Sequence, residues 1–186
     1  MAHEAQKNFC LRVKERFPEA FRGGTVLDVG SLDVNGNNRY LFEGSSYIGL
    51  DVGPGPNVDV VAPVHLVEMF SPESFSVVVS TECFEHDMHF AHSLRKIVSL
   101  LRPGGLFFFT AAGEGRPEHG TTRSCPGDSP LTVAIPDWSD FYKNVTRQDV
   151  ECALDLDRTF EAWDFESSPG DIYFWGIKRS RSEGAP

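Results

Sequence analysis

Apolar residues recur every fourth position at the start of the chain. Ala5, Phe9, Val13 and Phe17 form one stripe, which predicts an amphipathic helix from Glu4 to Phe17, ended by Pro18 and then Gly23-Gly24. The period then shortens. Thr25–Val29 reads as a strand, and Tyr47–Leu50 as a second that closes at Asp51 ahead of the rigid loop Gly53–Pro56. Asp59–Val61 is a third, short strand stopped by Pro63. Ser76–Ser80 is almost continuously apolar, as befits a strand buried on both faces of a parallel sheet. Leu94, Ile97, Val98 and Leu101 then fall at i, i+3, i+4 and i+7, a helix stopped by Pro103-Gly104-Gly105. Leu106–Thr110 gives a fifth strand. Thr146 caps a helix running to about Leu154, and Phe160–Phe165 and Ile172–Ile177 are two last strands joined by Ser-Ser-Pro-Gly-Asp. Strands alternating with helices predict βαβ units, hence an α/β fold with a mostly parallel sheet between helical layers.

The 186 residues suit one domain, with residues 1–22 as an N-terminal helix, 111–146 as a Gly/Pro-rich substrate loop or lid, and 178–186 as a tail. No apolar run is long enough to cross a membrane, and the start MAHEAQKNFC lacks a basic region followed by an apolar stretch. A cytoplasmic protein is therefore expected. The net charge of −10 argues against an extended nucleic-acid surface, although an RNA end or a nucleotide bound locally is compatible with it. Four scattered cysteines, Cys10, Cys83, Cys125 and Cys152, contain no C-x-x-C pair and read as free thiols.

Chemistry concentrates where strands end. After the first strand comes Gly30-Ser31-Leu32 and a polar run to Asn38, without the G-x-G-x-x-G spacing of a dinucleotide loop. Gly30 lets backbone approach a ligand, Ser31 and Asn35 offer hydrogen bonds, and Asp28 can hold a cationic group. Asp51 lies 21 residues beyond Gly30, the separation at which an acidic side chain reaches a ribose. The plainer alternative makes Asp28 and Asp51 strand-end turn residues.

The segments VLDVGSLDVNG, YIGLDVGPGPNVDVV, FSVVVSTECFEH and LRPGGLFFFTAAG, in this order, resemble the class I S-adenosylmethionine-dependent methyltransferases, closest to the type 11 small-molecule group. The likeness covers about Thr25–Gly113, and Phe141–Val150 is similar to a later region of that group. It implies a Rossmann-like three-layer sandwich around a seven-stranded sheet with its last strand antiparallel. It also implies Asp28 near the methionine amino group and Gly30 and Ser31 beside the cofactor's amino-acid portion. Asp51 would then take the ribose hydroxyls, Val52 would face the adenine, and Ser80 and Thr81 would lie near the sulfonium. Three positions depart from the pattern: Gly30-Ser31-Leu32 stands where a Gly-x-Gly pair is usual, Ala62-Pro63 replaces an acidic residue after the third strand, and Ser76 stands where Asp is common.

Glu82, Glu85 and His86 form E-x-x-E-H just after the fourth strand. On a helix Glu82 and Glu85 share a face, with His86 one turn from Glu82. Two carboxylates and an imidazole suit a divalent cation, magnesium or manganese before zinc, and His86 with Glu82 also suits catalytic proton transfer. The pattern resembles metal-dependent members of the superfamily, including small-RNA 2′-O-methyltransferases, in which a further histidine completes the site; His119 is placed for that part. A purely structural role for Glu85 and His86 is the alternative. His89 and His92 extend the spacing but fan over about 120° of a helix, and so read as a solvated face.

The leading expectation is methyl transfer from S-adenosylmethionine to O or N of a small-molecule acceptor, an in-line displacement in which protein groups align the nucleophile and remove its proton. A non-catalytic S-adenosylmethionine-binding module, an RNA 2′-O-methyltransferase and an NAD-dependent oxidoreductase are the competing readings. Arg116, His119, Arg123, Trp138, Phe141 and Tyr142 furnish the lid with polar and aromatic groups.

Overall fold

A computed structural model describes residues 4–180, so most of the expected tail at 178–186 lies outside the described residues. Seven strands form one sheet: β1 (Thr25–Val29), β2 (Ser46–Asp51), β3 (Val60–Val61), β4 (Phe75–Thr81), β5 (Leu101–Ala112), β6 (Phe160–Ser168) and β7 (Asp171–Lys178). Their spatial order is β3-β2-β1-β4-β5-β7-β6, and β7 runs antiparallel to both neighbours. This is the Rossmann-like architecture expected, and α1 (Glu4–Arg16) and α2 (Phe90–Leu100) flank the sheet with the shorter α3 (Pro130–Val133), α4 (Arg147–Ala153) and α5 (Leu156–Thr159).

Alternation along the central strands builds two cores. Val77 and Val79 of β4 and Phe108 of β5 face α1, packing with Phe9, Val13, Phe21 and Trp175. Val78, Phe107 and Phe109 face α2 and α4, packing with Leu94, Ile97 and Val150. Phe84, just beyond β4, closes on Phe109 at a ring-centroid distance of 5.1 Å, and such edge-to-face pairs add about 0.5–1.5 kcal/mol beyond area burial. That anchor fixes the backbone of the next two residues, Glu85 and His86.

The structure revises several local expectations. In α1 the buried face is Gln6, Phe9, Cys10 and Val13, whereas Ala5 is exposed. Pro103-Gly104-Gly105 does not lie between elements but within β5: Leu101 already pairs with Phe75, and the register shifts before Val77 meets Leu106. Gly104 takes φ +71° in this bulge, a conformation that suits glycine. The Thr146 cap is a full capping box, with Thr146 and Asp149 each accepting the other's backbone N–H. Among the described residues no helix is long and apolar enough to cross a membrane, and all four cysteines are free.

β1 pairs with β2 on one side and β4 on the other, so their connections diverge at the carboxyl ends. A crevice opens there, as it does at such switch points generally. The polar motifs border it.

Candidate active site

The loop after β1 is held by side chains in place of additional glycines. Leu50 of β2 accepts the backbone N–H groups of Gly30 and Ser31 at 2.9 and 3.2 Å. Asn57 donates to the Ser31 carbonyl at 2.8 Å, and Asp33 accepts from the Gly36 N–H and Asn37 amide at 2.7 Å each. Gly30 has φ +76°, and a Cβ there would collide with the side chain of Cys83. Glycine is therefore required twice over, by conformation and by space.

Asp51 is clamped from both sides: Leu32 N–H donates to Oδ2 at 2.9 Å and Val52 N–H to Oδ1 at 2.7 Å. Two adjoining cavities meet at this carboxylate. One extends past Gly30 and Ser31 to Asp28, Asn38 and Thr81. The other runs between Val52, Val64, Asp87 and Trp138. Ser80 does not line either cavity; its hydroxyl donates to the Val29 carbonyl at 2.8 Å and ties β4 to β1.

Asp28 is 1% exposed. Tyr47 donates its hydroxyl to Oδ2, and the Asn38 amide donates to Thr81 Oγ1 at 3.0 Å with a longer reach to Asp28 Oδ1. Burial pushes the Asp28 carboxyl up to about 7, against the two hydrogen bonds that favour its ionised form. Sequence reasoning missed Asn38 and Tyr47. Asn38 ends the polar loop, which folds back over Asp28, and Tyr47 opens an apolar strand that the β1–β2 register sets beside it.

The E-x-x-E-H segment is not an α-helix. Glu82 has φ +52°, and only Phe84–His86 forms a 3₁₀ turn. Glu82 accepts from the Thr110 hydroxyl at 3.0 Å and faces Arg116 at 3.7 Å, while still bordering the first cavity. Glu82 therefore leaves the expected metal-ligand set. Glu85, His86 and His119 do converge, with candidate ligand atoms all within 4.8 Å of one another. His119 Nδ1 lies 3.1 Å from the Pro117 carbonyl, which fixes that nitrogen as the donor and leaves the Nε2 lone pair inward, 3.9 Å from Glu85. Both Glu85 carboxylate oxygens, His86 Nδ1 and His119 Nε2 are buried without a hydrogen-bond partner. Burial, with the charge of Glu82, raises the Glu85 carboxyl to about 8, and burial with help from His119 lowers the His86 imidazole to about 3.

Residues of the segment 111–146 border the crevice, among them Asp128 to Thr132 on the first cavity and Trp138 on the second. Leu131 of α3 packs over Gly53, where a Cβ would come within 2.8 Å of it, and Ser129 and Thr132 border the first cavity. Tyr142 completes a box of rings with His86 and His119, at centroid distances of 5.7 and 5.0 Å. Arg123 stays at the surface with Glu118 and Asp140. His92 is exposed as expected. His89 is not, for its ring lies 4.2 Å from His65 and 5.7 Å from Trp138.

A family model described as a methyltransferase domain matches residues 1–173. No curated protein matches the sequence. Among solved structures, phosphoethanolamine N-methyltransferase 2 of Haemonchus contortus, in complex with phosphomonomethylethanolamine and S-adenosylhomocysteine, superposes with TM-score 0.64 at 17% identity. The match covers 93% of this chain but 53% of that one, so the chain spans about half its length. A S-adenosyl-L-methionine-dependent methyltransferase fold from Methanococcus maripaludis gives TM-score 0.60 at 18% identity over 96% and 86% of the two chains. The 1,6-didemethyltoxoflavin-N1-methyltransferase of Burkholderia thailandensis, with its namesake ligand and S-adenosylhomocysteine bound, gives 0.57 at 15% over 97% and 93%. At these identities the structural likeness speaks for the fold.

Proposed function

This chain belongs to the class I S-adenosylmethionine-dependent methyltransferases, and we propose that it moves a methyl group to an oxygen or nitrogen of a small-molecule acceptor. The observation that carries the reading is Asp51, a doubly clamped carboxylate at the junction of two cavities. Such an arrangement fits a ligand with a diol at its centre, a cationic end toward Asp28 and a flat base in the more apolar arm. Gly30, Ser31 and Thr81 border the cationic end, and Val52 the base.

S-adenosylmethionine would supply a sulfonium methyl group for in-line attack by the acceptor's lone pair, with the thioether sulfur as leaving group. The chain's part is to orient that lone pair and exclude water, with α3 as the cover. His86 and Glu82 both line the first cavity, which supports reading them as the groups that would receive the acceptor's proton. A small acceptor is supported by the ligands named for the Haemonchus and Burkholderia structures, and the −10 charge opposes a nucleic acid.

Glu85, His86 and His119 fit a divalent cation within the same reading. Buried polar atoms left without a hydrogen-bond partner, as on Glu85, His86 and His119, are costly unless a cation or a proton joins them. With Glu82 engaged elsewhere, two nitrogens and one carboxylate suit manganese, iron or zinc better than magnesium. A cation there would lower the pKa of an acceptor hydroxyl.

The test is binding of S-adenosylhomocysteine by calorimetry, followed by donor consumption across small-molecule and RNA acceptors. Binding with turnover on a small molecule is expected. Binding without turnover would favour a non-catalytic module, turnover on RNA alone would overturn the acceptor class, and tight NAD binding instead would overturn the cofactor.

A pH dependence follows from Asp28. Its carboxyl must be ionised to pair with the cofactor's ammonium, yet burial holds it at about 7 in the free protein. Affinity for S-adenosylhomocysteine should therefore fall as pH drops below 7, approaching tenfold per unit. The stability contribution has the opposite sign: a carboxyl raised above its unfolded value of 3.8 favours the folded state at low pH and loses that contribution as pH rises through 7. Titrations at pH 5.5 to 8.5, with Asp28→Asn as the flattened control, check both.

A further inference from the structure

Tyr47 reaches Asp28 past a residue with no side chain. Gly49 pairs with Asp28 in the β1–β2 register and follows Tyr47 by two, so it lies on the same face of β2. Burial, then the Asp28 charge, pushes the Tyr47 phenol far up. It therefore keeps its proton and donates to Asp28 Oδ2.

The Tyr47 ring is itself held by Arg39, from the 3₁₀ turn Arg39–Leu41. The guanidinium lies over the ring, with Cζ 4.4 Å from its centroid, and Nη1 donates to the Tyr47 carbonyl at 3.4 Å. The rest of the fork reaches the loop after β2: Nε donates to Asn57 Oδ1 at 3.0 Å and Nη2 to Asp59 Oδ2 at 2.8 Å. Asn57 in turn donates to the Ser31 carbonyl. Arg39 thus joins the β1 loop, β2 and the loop after β2 around one cavity. Its ion pair with Asp59 is about half exposed on both sides, and such a pair alone contributes little. The planar stack is the part that a lysine cannot reproduce.

The other surroundings of Asp28 oppose its ionised form or bring no charge. Burial opposes it most, and Asp51 adds a like charge. Cys10 faces it from α1, but burial and then the Asp28 charge push that thiol up to about 12, so it stays neutral. Lys7 of the same helix is exposed and borders the cavity from the surface. The ionised form is favoured by the Tyr47 hydrogen bond first, then by Asn38 and the Arg39 charge.

We propose that Arg39 is a positioning residue for the cofactor site: stacked on Tyr47 and tied to Asn57 and Asp59, it keeps the Tyr47 hydroxyl on Asp28 and so keeps that carboxylate available to a cationic group. The inference rests on the reading that Asp28 meets the cofactor's ammonium.

The experiment measures S-adenosylhomocysteine affinity by calorimetry from pH 5.5 to 8.5. Tyr47→Phe should move the pH at which affinity falls upward by about one unit, because the lost bond favoured the ionised carboxyl. Its deficit against the wild type is then about tenfold at pH 6 and less than about twofold at pH 8.5. Arg39→Ala and Arg39→Lys should act in the same direction, with deficits of about three- to tenfold at pH 6 that also close by pH 8.5. In the Tyr47→Phe background, Arg39→Ala should add less than about twofold, since both substitutions remove one interaction. Melting temperatures show that each variant is folded; should Arg39→Ala unfold, Arg39→Lys and Tyr47→Phe carry the same comparison.

A deficit equal at every pH would make Arg39 merely structural and overturn the proposal. So would an Arg39→Lys protein with the wild-type profile, which would make charge alone sufficient, or full additivity of the two substitutions. Any of these results leaves the cofactor reading intact as long as the wild type binds. Failure of the wild type to bind at every pH would overturn the cofactor reading and this proposal together.

Discussion

Asp51→Ala is expected to weaken S-adenosylhomocysteine binding by about 1–3 kcal/mol, roughly 5- to 150-fold. Two losses combine. The ribose loses an ionised acceptor, and charge-assisted bonds to partly buried groups are among the stronger polar contacts. The Leu32 and Val52 N–H groups also lose the oxygens that now fix the first loop to the end of β2. Asp51→Asn separates these effects, since one amide oxygen can hold a single N–H but not both. An intermediate loss is expected, read by calorimetry and by the ligand-induced shift in melting temperature. Affinity unchanged in Asp51→Ala would place the ribose elsewhere and remove the main support for how the two cavities are divided.

The fold was legible because its strands carry a strong and simple signal. SVVVS and LFFFT are almost continuously apolar, and such runs leave few alternatives to central strands of a parallel sheet. The first loop was legible from spacing, since the Gly30–Asp51 separation reflects the distance between the ends of adjacent parallel strands.

What failed to show was conformation at single residues and contacts across elements. E-x-x-E-H has helical spacing, but Glu82 sits at positive φ, accepts from Thr110 beside Arg116, and stays outside the group formed by Glu85, His86 and His119. Periodicity carries no information about one left-handed residue. His89 looked like part of a solvated face because its ring partners, His65 and Trp138, come from remote segments. The helix ends at Leu100, ahead of the Pro-Gly-Gly run expected to stop it, because Leu101 found a strand partner in Phe75; the run itself forms a bulge inside β5.

Removing divalent cations is expected to suppress methyl transfer by on the order of 100-fold or more while S-adenosylhomocysteine still binds. That size corresponds to the several kcal/mol that Lewis-acid stabilisation of developing charge supplies. The separation of effects rests on position: Asp28 and Asp51 lie at the two strand ends, whereas Glu85, His86 and His119 converge behind the ring of Tyr142. Glu85→Gln should mimic chelation, because it removes the only carboxylate of the trio, and added manganese or zinc should not restore it. Glu82→Gln should still retain the cation, since Glu82 is committed to Thr110 and Arg116. Metal content by elemental analysis reads both variants independently of turnover. Full activity in chelator, together with an unaffected Glu85→Gln protein, would show that the buried acceptors are satisfied by protons and that the ring box only shapes the acceptor's seat.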